Sequence, residues 1–124
     1  MNIPTGHQAV MPYLTLENAN GFLTFTQQVF QATVSFRELH DDNQTIRHAE
    51  IQISGSTIMT SEAREQWKAQ PGNLFVYVED ADSSYQTALD NGATSVMPLS
   101  DQSYGRTCGV KDPCGNIWWI TSVK

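Results

Sequence analysis

The chain repeats itself. Leu14 to Asn20 reads LTLENAN and Val76 to Asp82 reads VYVEDAD. Each is an alternating apolar run that ends in Glu, an Asn or Asp, an Ala and a residue suited to capping a helix. The two lie 62 positions apart, half of the 124-residue length. ATVSF from Ala32 and ATSVM from Ala93 follow at an offset of 61, and GSTIMTS from Gly55 and GNIWWIT from Gly115 at 60. Three segments in one order at nearly constant offset imply two copies of one module. Each copy must then build the same elements and bury its apolar faces in the same way.

The elements of one copy can be read from periodicity. Met11 to Glu17 alternates as a strand, and Phe22, Phe25, Val29 and Phe30 make one apolar helical stripe. Three strands follow: Thr33 to His40, Thr45 to Ser54 after the turn Asp41-Asp42-Asn43, and Ser56 to Ser61 after Gly55. The second copy opens with a strand from Leu74 to Glu79. Its helix runs from Asp82, with Tyr85, Ala88 and Leu89 facing inward, and stops at a left-handed Asn91-Gly92 cap. Three more strands close with Asn116 to Ser122. The expectation is an α+β fold of tandem βαβββ modules in one domain spanning 1–124. The modules cover about 9–62 and 73–124, with a polar linker at 63–72 that ends in Pro-Gly.

Composition excludes several roles. The net charge is −6, and the seven Lys and Arg are scattered, so no basic stripe exists for nucleic acid. No apolar run reaches the roughly 18 residues of a membrane span. MNIPTGHQAVMPY lacks the basic and apolar regions of a secretory signal, so a cytoplasmic location is expected. Cys108 and Cys114 have no metal-ligand spacing and read as free thiols.

Four stretches carry a family resemblance: PYLTLENANGFLTFTQQVF from Pro12, IRHAEIQISGSTIMTSEA from Ile46, VYVEDADSSYQTALDNGATSVMP from Val76 and SYGRTCGVKDPCGNIWW from Ser103. With the paired βαβββ order, they resemble the vicinal oxygen chelate superfamily. That group includes glyoxalase I, extradiol dioxygenases and the bleomycin- and fosfomycin-resistance proteins. Agreement is with its small bleomycin-resistance-like branch. The resemblance implies mixed sheets curled into a cup, helices on the convex side and ligand or metal on the concave side. It also implies a homodimer, in which cups are completed by pairing modules across two chains.

Strand alternation then sorts the residues. Leu14, Leu16, Ala49, Ile51, Ile53, Ile58, Leu74, Val76, Val78 and Trp118 are expected to pack on the helices. Met11, Tyr13, Thr15, His48, Glu50, Gln52, Met59, Ser61, Asn73, Phe75, Tyr77 and Trp119 are left for the cup. Metal-dependent relatives place His, Glu or Gln at four strand positions that fall here on Met11, Met59, Asn73 and Trp119. Those side chains are poor donors to a divalent cation, so no metal and no other cofactor is expected.

Tyr13, Phe75, Tyr77 and Trp119 would line one concavity with Met11 and Met59 as adaptable fillers, suited to a flat apolar or cationic ligand. His48 and Glu50 either orient that ligand and carry a proton, or form a plain structural pair, with Arg37 a neighbour if its strand faces that way. His7 and His40 receive no role. Trp67 and Tyr104 either rim the cup or are lone surface aromatics. The favoured reading is a non-catalytic protein that sequesters an antibiotic-like small molecule through Tyr13, His48, Glu50, Met59, Phe75, Tyr77 and Trp119. The alternative is a divergent lyase, isomerase or dioxygenase, with or without a metal.

Overall fold

The computed structural model describes residues 1–123. The first half contains β1 (Tyr13–Leu16), α1 (Ala19–Phe30), β2 (Thr33–Leu39), β3 (Ile46–Ile53) and β4 (Ser56–Glu62). The second contains β5 (Asn73–Tyr77), α2 (Ala81–Asp90), β6 (Thr94–Gln102), β7 (Gly105–Lys111) and β8 (Ile117–Ser122). The expected βαβββ order is present twice. Each half makes its own four-stranded mixed sheet, with strand orders β1-β4-β3-β2 and β5-β8-β7-β6. In each the first and last strands of the half run parallel and the other pairs antiparallel.

Local chemistry sets the boundaries. β1 is shorter than its alternation suggests: Pro12 has no N–H to donate, although its carbonyl accepts from Met59 N at 3.0 Å. The helix caps are the Asn and Asp before each Ala, not the residue after it. Asn18 accepts from Gly21 N, and Asp80 accepts from Asp82 N and Ser83 N. The Glu62 carboxylate adds bonds from Asn18 N (2.8 Å) and Ala19 N (2.9 Å), placing negative charge at the start of α1. Between β3 and β4, Ser54 (φ 47°) and Gly55 (φ 86°) both take the left-handed conformation that a two-residue hairpin of matching twist requires.

One core joins the halves. Phe22, Phe25, Val29 and Phe30 are buried against Leu14, Leu16, Ala49 and Ile51, as the stripe implies. Trp118 of β8 is 1% exposed and lies 4.6 Å from Phe30 and 6.4 Å from Phe22 between ring centroids. α1 and α2 also touch. Among the described residues no helix is long and apolar enough to cross a membrane.

Candidate functional site

The helices cover one side of each sheet, which leaves the other for function. Register aligns a row of side chains across each open face. On the first sheet it runs Tyr13, Met59, Glu50, Phe36; on the second, Phe75, Trp119, Gly109, Met97. The seven candidate residues thus divide, with Tyr13, His48, Glu50 and Met59 on one sheet and Phe75, Tyr77 and Trp119 on the other.

A polar network occupies the first face. Glu50 is bonded through one oxygen to His7 Nε2 at 2.6 Å and through the other to His48 Nε2 at 2.9 Å. An ionised carboxylate only accepts, so both imidazoles present N–H to it. Burial pushes the Glu50 carboxyl up, but the bonds and charge of His7 and His48 outweigh it and hold the group below its ordinary value. The Tyr13 hydroxyl sits 3.4 Å from His48 Nδ1, and the His48 ring lies between those of Tyr13 (5.7 Å) and Phe36 (5.8 Å). Arg37 is no part of this set: it faces the helix side and donates to Asn20 Oδ1 at 2.7 Å.

His7, to which the sequence assigns no role, is brought to Glu50 by an N-terminal segment that is tied down. Gly6 O accepts from the Thr57 hydroxyl and from Gln52 Nε2, while Gln8 Nε2 donates to Thr57 O at 2.9 Å. The segment is thereby laid over the open face and delivers the imidazole to Glu50. Phe36 was also missed, because its facing depends on β2 register. Neither residue belongs to a motif.

The second face is aromatic. Phe75 packs against Tyr77 (5.1 Å) and Tyr104 (6.5 Å), so Tyr104 does join the candidates. Trp119, half-buried, donates its indole N–H to Asn73 Oδ1 at 2.7 Å. Its six-membered ring lies against Gly109, where a Cβ would come within 2.5 Å of it. Cys108 and Cys114 are free, and burial pushes their thiols up to about 11 and about 12, so neither is a nucleophile near neutral pH.

The four positions expected to match the metal ligands of metal-dependent relatives, of which Met11 lies just before β1, do not fit a cation here. Two of them, Asn73 and Trp119, are bonded to each other, and the other two are the thioethers Met11 and Met59. Among the described residues no group of three His, Cys, Asp or Glu side chains could hold a metal ion.

Comparison with known proteins places this architecture. The model of the Glyoxalase/Bleomycin resistance protein/Dioxygenase superfamily matches residues 12–120. The chain belongs to that superfamily. An uncharacterized protein of Mycobacterium bovis is 31% identical over 122 residues, covering 89% of this chain and 80% of its own length. Among solved structures, TioX from Micromonospora sp. ML1 is similar at TM-score 0.73 and 23% identity, covering 94% of this chain and 97% of its own. The bleomycin-binding protein of bleomycin-producing Streptomyces verticillus, solved with copper(II)-bleomycin, is similar at TM-score 0.65 and 17% identity over 100% of both chains. At such identities the structural likenesses establish the superfamily fold. Function has to come from the side chains on its open faces.

Proposed function

We propose that this chain binds a small molecule with a flat aromatic or cationic surface and acts by sequestering it unchanged. The observation that carries the reading is the exposure of the open-face aromatics. Tyr13, Phe36, Phe75, Tyr77 and Tyr104 are 47 to 64% exposed, while the helix sides of both sheets are filled. Exposed apolar rings on the open faces of the two sheets mark a binding surface rather than a core. Aromatic faces stack on flat ligands and attract cations, and an acidic chain with Glu50 beside Tyr13 and Phe36 on the first sheet favours a positive one. The bleomycin-binding neighbour supports a drug-like ligand. A homodimer that paired the first face of one copy with the second face of its partner would unite the two aromatic sets and cover them from water.

The test is a tryptophan fluorescence titration with planar aromatic and cationic antibiotics, run on wild type, Trp119→Ala and Phe75→Ala, with mass spectrometry of the recovered ligand. Saturable one-to-one quenching in the wild type, lost in both variants with the ligand recovered intact, is the expected result. Silence across the panel overturns the reading.

His7, Glu50 and His48 favour a second reading, in which the network moves a proton as in a metal-independent lyase or isomerase. Chemical change in the recovered ligand, abolished by Glu50→Gln, would establish it instead.

A further inference from the structure

The linker expected to be a polar tether is strapped along the first sheet. Ala63 N donates to Leu16 O (2.8 Å) and Gln70 N to Thr15 O (2.7 Å). Between them Arg64 and Trp67 exchange backbone bonds of 2.8 and 3.1 Å, closing a turn that sets both side chains beside β1. Across the sheet a bulge acts on Arg47. Glu38 pairs with His48 and Leu39 with Ile46, so Arg47 is the extra residue, freed from strict alternation. Arg47, Arg64 and Trp67 enclose, with Tyr13, Thr15 and Ser61, a pocket of about 590 Å³. That volume suits a small molecule.

The lining is rich in donors: two guanidiniums, three hydroxyls and an indole N–H. Its one carboxylate, Glu62, directs both oxygens to the backbone N–H groups that start α1. Arg47 meets Glu38 and Asp41 only at 3.9 and 4.0 Å, across exposed side chains. Among the described residues Arg64 has no carboxylate partner, and its guanidinium reaches only His40 Nδ1 at 3.5 Å. Arg106, by contrast, is held by both oxygens of Asp82. In a chain of net charge −6, two guanidiniums on one hollow, Arg64 with no carboxylate among the described residues and Arg47 held only loosely by Glu38 and Asp41, can together clamp an anion. Trp67, 69% exposed at the rim, offers a ring face beside them.

We propose that this pocket binds the carboxylate or phosphate of a small aromatic acid, clamped by Arg47 and Arg64 with its ring against Trp67 and Tyr13. The pocket shares only Tyr13 with the sequestration residues and does not depend on that reading.

Three probes with one ring and different heads test it: phenyl phosphate, benzoate and benzamidine, followed by amide and indole shifts in ¹⁵N-correlated spectra. Phenyl phosphate or benzoate should saturate shifts at Ser61, Arg64 and Trp67, and the tighter of the two names the acid group. Benzamidine should leave these signals in place. Arg47→Gln and Arg64→Gln should each weaken the anion at least tenfold. Both side chains are exposed, so the variants keep the fold, which circular dichroism checks. Equal binding of benzamidine, no binding of either anion, or full affinity in the double variant overturns the proposal. Failure of the sequestration reading appears instead at Trp119 and Phe75, on the other sheet.

Discussion

Glu50 holds two imidazoles with one carboxylate, and its titration reports whether they are truly coupled. Its folded value lies below the ordinary 4.5 because the His7 and His48 bonds outweigh desolvation. A carboxylate depressed in the folded state adds stability that is fully present above its unfolded value and lost as pH falls through the folded one. Glu50→Gln removes that contribution along with charge-assisted bonds worth about 1–3 kcal/mol. In urea unfolding, the stability gap between wild type and Glu50→Gln should be fully present above pH 4.5 and should narrow as the pH drops below it. A gap that stays constant to pH 3 would show that the carboxylate is not held by the imidazoles. The Glu50–His48 pair was readable from alternation along RHAEIQI. His7 was not: it lies 43 positions away, and no spacing rule links it to β3.

The N-terminal segment is an element without secondary structure, attached by polar side chains alone. Gly6, His7 and Gln8 together engage Gln52, Thr57 and Glu50 on the open face of the first sheet. Deleting residues 1–8 should cost about 1–3 kcal/mol, since several partly buried bonds go and little apolar surface is exposed. Hydrogen exchange checks this: the Thr57 amide should exchange at least tenfold faster while Val110 in β7 stays protected. Equal slowing or speeding at both sites would mean that the segment acts globally rather than as a cover. The regular elements could be read from the chain because helices and strands print their period in apolar residues. Phe22, Phe25, Val29 and Phe30 are buried as that period requires. A segment held by hydrogen bonds prints no period. The bulge at Arg47 interrupts one, and it becomes visible only when β2 and β3 are paired. The candidate aromatics fell on the open faces for the same periodic reason, but their division between two sheets is a property of packing, which alternation does not encode.

At the scale of the molecule, adjacent tryptophans in β8 serve opposite sides of one sheet. Trp119 turns to the open face, and Trp118 carries the second module into the core of the first. Its ring is packed with Phe22 and Phe30 of α1, and its indole N–H donates to Asp112 Oδ2 at 2.8 Å. Asp112, 4% exposed, also accepts from Cys114 N, Asn116 N and Asn116 Nδ2, so the turn before β8 is tied to the same buried ring. Trp118→Phe keeps an aromatic but removes one donor from a buried carboxylate and opens space beside Phe30. The expected loss is about 1–3 kcal/mol. Because the ring joins β8 of the second half to α1 of the first, that loss should be felt by both halves. Native-state hydrogen exchange should lower the opening free energy of Ile51 in β3 and of Val110 in β7 by the same amount, with one unfolding transition by fluorescence and circular dichroism. Weakening confined to β7 would mean that each module folds on its own core and that Trp118 only decorates the contact between them.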